Sequence, residues 1–175
     1  MNSQQPLSME KTRIAHIDEG FDFLGRHIQR HTKRGTEQQH VYTYPSKRAL
    51  ESIKDKVRAP TQRTTTNQSL ANLCDRLNPA LRGWTTHFRH DVSKATFSYL
   101  RFFLWKRAVR WLRKKHPDAS WQQLRRLYLP EWWPTEGART LFDPSAVPVT
   151  RYRYRGDRIP SPWAIQTETD AASRD

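Results

Sequence analysis

The chain has 175 residues and 31 Lys and Arg against 17 Asp and Glu, a formal net charge of +14 with a pI near 10.5. Its one cysteine, Cys74, excludes a self-contained disulfide scaffold and a zinc site built on thiolates. No run of about 18 apolar residues is available to span a bilayer, and the polar residues 1–10 lack the apolar centre of a secretory signal.

Residues 1–10 read as a disordered start. A strand begins at Phe21-Asp22-Phe23-Leu24-Gly25, and His40-Val41-Tyr42-Thr43-Tyr44 reads as its partner. The polar stretch 31–39, with Gly35, is the loop of that hairpin. Pro45 ends the strand, and Ser46 is placed to cap a helix reaching about Arg58, with Leu50, Ile53 and Val57 on one stripe. Residues 61–66 are a linker. A second helix is predicted over 67–77, with Leu70, Leu73 and Leu77 inward. Asn78-Pro79 reads as a stop and a restart, Asn capping the next helix and Pro taking its first position. That helix carries Leu81, Trp84 and Phe88 on one face. A long helix over 93–115 sets Phe97, Leu100, Leu104, Ala108 and Trp111 at spacings of 3, 4, 4 and 3, a buried seam with most bases off it. His116-Pro117 ends it, and residues 120–127 make one more short helix. Beyond Pro130 the text turns to Trp, Pro and Gly, and Arg151-Tyr152-Arg153-Tyr154-Arg155 alternates base and ring with strand period.

The charge is concentrated. Residues 61–117 hold twelve bases against Asp75 and Asp91, a net of +10, whereas 118–175 hold eight of each. Within 94–115 there are eight bases and no acid. A helix without acids cannot neutralise itself through i,i+4 pairs, so a polyanion is the expected partner. Candidate phosphate contacts are Lys94, Arg101, Lys106, Arg107, Arg110, Arg113, Lys114 and Lys115, extended by Arg82 and Arg89 on the preceding helix. Arg151, Arg153 and Arg155 add a basic-aromatic strand. Tyr99, Phe102 and Trp105 lie partly off the seam, placed either to pack on neighbouring helices or to stack on splayed bases. His87 and His90 lack a third ligand, so no metal site is expected, and Cys74 reads as a small buried apolar residue.

Several strings together resemble one family, the reverse transcriptase/maturase proteins encoded by group II introns. Glu10-Lys11-Thr12-Arg13-Ile14, Gly20 and the Phe21–Gly25 string resemble its last two reverse transcriptase blocks. Ser46-Lys47-Arg48-Ala49-Leu50 resembles the opening of the thumb. Leu77-Asn78-Pro79-Ala80-Leu81-Arg82-Gly83-Trp84, followed by Phe88, resembles the signature of the maturase-specific domain, domain X. The string Gly156-Asp157-Arg158-Ile159-Pro160-Ser161-Pro162-Trp163 completes the pattern, which covers roughly residues 8–163.

The resemblance implies a mainly α fold: a short N-terminal β-hairpin, then thumb-like and maturase-like helical bundles, then an irregular basic tail. It divides the chain into a start with the end of the palm (1–20), the last block and thumb start (21–66), the maturase-specific domain (67–130) and an extension (131–175). It implies binding of structured intron RNA in splicing or retrohoming, with no cofactor and no membrane, in a bacterial-type cytoplasm. Lys11 would face nucleotide phosphates, and Phe23, Leu24 and Gly25 would grip a primer end. The family's polymerase centre holds paired aspartates, as two-metal phosphoryl transfer requires. This sequence has no Asp-Asp pair, so those blocks read as vestigial and no polymerase activity is expected from the chain by itself. Two other readings stay open: the non-catalytic half of a split RNA-directed DNA polymerase, completed by a separately encoded fingers-palm polypeptide, and a decayed remnant of a mobile intron.

Overall fold

The structure, a computed structural model, describes residues 15–32, 35 and 37–150. The start over 1–10, Lys11, and Arg151, Arg153 and Arg155 with their intervening tyrosines lie outside the described residues. The fold is mainly helical, with an N-terminal sheet followed by four helices.

Strands β1 (Phe21–Phe23), β2 (Arg26–Thr32) and β3 (Gln39–Pro45) form an antiparallel sheet in that order. The strand starting at Phe21 therefore does not pair with residues 40–44. The chain reverses at Leu24 and Gly25, and β2 takes that place, with His27 opposite Tyr44 and Gln29 opposite Tyr42. Leu24 (φ 48°) and Gly25 (φ 79°) are both left-handed, the backbone that suits a two-residue hairpin turn. One of the two positions falls to leucine, which ordinarily avoids that conformation, so the usual glycine-asparagine turn signal is missing.

Helix α1 (Lys47–Arg58) starts where Ser46 accepts a hydrogen bond from the Ala49 amide, and it buries Ile53 and Val57. The expected linker is two short 3-10 turns, Ala59–Thr61 and Arg63–Thr65. Helix α2 (Leu70–Phe88), capped by Ser69, runs straight through Asn78-Pro79. The predicted stop and restart there is absent. Asn78 cannot cap a new helix because its side chain is engaged elsewhere, Nδ2 donating to the Thr140 carbonyl at 2.9 Å and Oδ1 accepting from the Phe142 amide at 2.8 Å. Proline inside a helix removes the bond to the carbonyl four residues back. Burial of Leu73, Leu77 and Leu81 along the same face offsets that loss.

Helix α3 (Lys94–Lys115) buries the whole predicted seam, together with Val109 and Leu112. Helix α4 (Trp121–Tyr128) opens with a capping box between Ser120 and Gln123. A small hairpin of β4 (Thr135–Glu136) and β5 (Arg139–Thr140) follows. One core joins α1, α2 and α3, and Trp133 and Leu141 close it from the C-terminal side.

The sheet is fastened to the helices by one buried carboxylate. Asp91, between α2 and α3, accepts from Arg26 Nε at 2.9 and 3.1 Å and from Thr43 Oγ1 at 3.0 Å. Arg26 Nη2 donates to the His87 carbonyl, and the Val92 amide donates to Thr43. Removing the acceptor leaves Arg26 Nε and Thr43 Oγ1 without their partner, so Asp91→Ala should lower stability by about 2–3 kcal/mol in a denaturant titration. Cys74 is fully buried, and burial, with smaller contributions from Asp75 and Glu136, pushes its thiol up to about 12. The folded state therefore holds the thiol proton above the pH at which the unfolded chain releases it, and this contribution to stability is lost as pH rises toward 12. At pH 8, a thiol reagent should label Cys74 only at the rate of unfolding, and prompt labelling of native protein would contradict the burial.

Candidate nucleic-acid interface

The predicted bases of α3 occupy three different environments. Arg107 is half-buried against the turn after α1. Its Nε donates to Thr61 Oγ1 at 2.9 Å, and its Nη2 donates to the Thr61 carbonyl at 2.9 Å and to Oγ1 at 2.7 Å. Burial first, then the charges of Arg110 and Arg58, pulls its pKa below the ordinary guanidinium value. Lys115 is also half-buried, donating to the Thr66 carbonyl at 3.0 Å and lying 5.8 Å from the Trp111 ring centre.

A second group reaches toward the C-terminal segment. Lys94 donates to the Ser145 carbonyl at 2.9 Å. Arg101 pairs with Asp143 at 2.9 Å and stacks 4.7 Å over Trp133. Arg113 lies 5.2 Å over the Trp121 ring of α4.

The third group points outward. Lys106, Arg110 and Lys114 are exposed, and no ion pair or hydrogen bond holds their charged ends among the described residues. They recur every four residues and continue a line begun by Phe102, which is 60 % exposed. Four-residue spacing keeps them on one slowly turning stripe of the helix. Like charges at this spacing repel one another, so the stripe is relieved by any anion that lies along it.

The other predicted residues sit apart from this stripe. On α2, Arg82 is exposed with its guanidinium 5.6 Å from the Phe142 ring, and Arg89 donates to His90. Phe23 and Leu24 are 59 % and 75 % exposed at the β1–β2 turn. Gly25 lies beside Phe88 and Ala49. Trp105 turns inward and donates to the Trp132 carbonyl at 3.1 Å, whereas Tyr99 lies 5.6 Å beneath Lys54.

Two concavities are present in the described surface. One of about 660 Å³ beside β1 is lined by Glu19, Asp22 and His27, and its two carboxylates repel a phosphate chain. The other, about 390 Å³, is lined by Trp121, Gln122, Arg125, Arg126, Leu129, Pro130 and Glu131. Arg125 and Arg126 escape notice in the sequence because the region 118–175 balances to zero charge. The adjacent arginines on a short amphipathic helix are the local signal that the regional total conceals.

Among known families, the model of the group II intron maturase-specific domain matches residues 50–129. No curated protein matches the chain significantly. The matched segment contains most of α1, all of α2, α3 and α4, and therefore both the helical core and the exposed basic stripe. Residues 50–129 of this protein are a group II intron maturase-specific domain, domain X.

Proposed function

We propose that the protein binds the structured RNA of a group II intron and assists its splicing or retrohoming, the RNA itself supplying the reacting groups. The observation that carries this reading is the stripe of Lys106, Arg110 and Lys114, cations exposed on a helix that has no acid. Compact RNA brings phosphates together, and cations laid against it favour the folded form over the extended one. Lys94, Arg113 and Lys115 add to the local potential while anchored to the protein, whereas Asp143 offsets the charge of Arg101. Arg107 holds α3 against α1 through Thr61. Arg82 and Arg89 extend the basic surface along α2. The Thr150 amide donates to the Arg89 carbonyl at 2.9 Å, and the sequence after Thr150 supplies Arg151, Arg153 and Arg155 as further cations for the RNA.

Filter binding to a group II intron RNA across a salt series tests this. Replacing Lys106, Arg110 and Lys114 together by Ala should reduce the slope of log affinity against log salt by about 2 to 3, at 0.7–0.9 per phosphate contact. The same variant should melt no lower than the parent, since repulsion along α3 is relieved. Arg107→Ala should do the opposite, lowering the melting temperature through the lost bonds to Thr61. Affinity for the intron no tighter than for unrelated structured RNA of equal length would refute the intron-specific role.

A second reading, that a separate polypeptide such as the other half of a split polymerase docks on the sheet, is favoured by Phe21, Phe23 and Leu24. All three are exposed, Phe21 and Phe23 on the edge strand β1 and Leu24 in the turn that follows it. Open apolar edges promote association. Light scattering should then show self-association of the protein alone that falls when Phe23 and Leu24 are changed to Ser. Equal scattering from both proteins would remove this reading.

A further inference from the structure

The turn after α4 contains two successive residues in the left-handed conformation, Glu131 (φ 51°) and Trp132 (φ 62°), and neither is glycine. A Cβ makes this conformation costly, so the surrounding contacts must impose it. They do: the Trp132 amide donates to the Leu129 carbonyl at 3.1 Å, and the Trp132 carbonyl accepts from Trp105. The result is that neighbouring tryptophans part company. Trp133 is 8 % exposed and donates to the Leu141 carbonyl inside the core, whereas Trp132 is 50 % exposed.

Trp132 is also flanked by positive charge. The Arg125 guanidinium carbon lies 4.1 Å from its ring centre, at stacking distance. Arg125 and Arg126 line the concavity of about 390 Å³ with Trp121 and Glu131. Arg113, stacked on Trp121, joins that concavity to the basic outer side of α3.

We propose that this corner is a stacking site for an unpaired RNA base, with Trp132 as the platform and Arg125 and Arg126 receiving the adjoining phosphates. The inference rests on the RNA-binding reading above and assigns it a second contact of a different kind. An aromatic ring backed by a guanidinium presents a flat surface to any base, and every base has a π-face to lay on it. Three arginines against one carboxylate fit a polyanion. The carboxylate, Glu131, repels a bare phosphate but accepts from an amino group on a base edge, which favours a nucleotide over a simple anion. A duplex keeps its bases stacked on one another and offers no face to Trp132.

The test uses the full chain and two probes, a short single-stranded RNA and a blunt RNA duplex of the same length. Glycine accepts the left-handed turn without strain, so Trp132→Gly should fold with an undiminished melting temperature. It should bind the single strand about 5- to 100-fold more weakly, and the duplex within about twofold of the parent. The salt slope should be unchanged, because no phosphate contact is lost. Trp132→Phe should retain most of the single-strand affinity. Equal losses on both probes, no loss on either, or tighter binding of an anionic vesicle or a proline-rich peptide than of the single strand would overturn the site. Failure of the wider RNA reading looks different: the parent protein then shows no salt-dependent affinity for either probe, and the site falls with it.

Discussion

Eight cations on one 22-residue helix, without an anion among them, must be held by something other than carboxylates. The fold meets this constraint mostly with backbone carbonyls and ring faces. Arg107 and Lys115 go to carbonyls in the turns after α1, Lys94 to a carbonyl near the C-terminal side, and Arg113 to an indole. Among the described residues, only Arg101 takes a carboxylate, Asp143. A carboxylate fixes a cation and cancels its charge. A carbonyl or a ring fixes it and leaves the charge standing. The helix is thereby ordered without being neutralised, and positive potential persists at the surface where Lys106, Arg110 and Lys114 project.

The same device recurs between α1 and α3. Lys54 lies over Tyr99 and Phe103, and Arg58 lies over Phe103. Pairs of this kind ordinarily occur about once per 70–80 residues, and here they cluster along one helix seam. Glu51 and Asp55, on the outer side of α1, take up the remaining donors of Lys54 and Arg58. Acids thus sit at the margin of the bundle, away from the α3 stripe.

Legibility in the sequence followed the range of the interactions. The seam of α3, the Ser46 cap and the inward leucines of α2 depend on spacings of three or four residues, and each is where periodicity puts it. Asn78-Pro79 misleads because the fate of the Asn78 amide is decided more than 60 residues away, at Thr140 and Phe142. The turn at Leu24 misleads because leucine occupies a position that sequence statistics give to glycine or asparagine. For the basic surface, helical phase separates seam from outside but does not sort the outside residues. Arg107 and Arg110 are three apart and carry the same charge, yet only Arg107 meets Thr61, 46 residues earlier. Trp132 was invisible for a related reason, since nothing local distinguishes it from Trp133 until the backbone turns left-handed between them.

The closing contacts of the core have a bearing on synthesis. Leu141 and Trp133 complete the apolar interior, and Thr140 and Phe142 occupy the amide of Asn78 in the middle of α2. A chain made from its N-terminus has all four helices translated before these residues exist. Until then, the side of the core that Trp133 and Leu141 cover stays open, and Asn78 is at liberty to break the helix beside its proline. The small hairpin and the strand of chain after it act as a latch, and translation sets the moment at which it shuts.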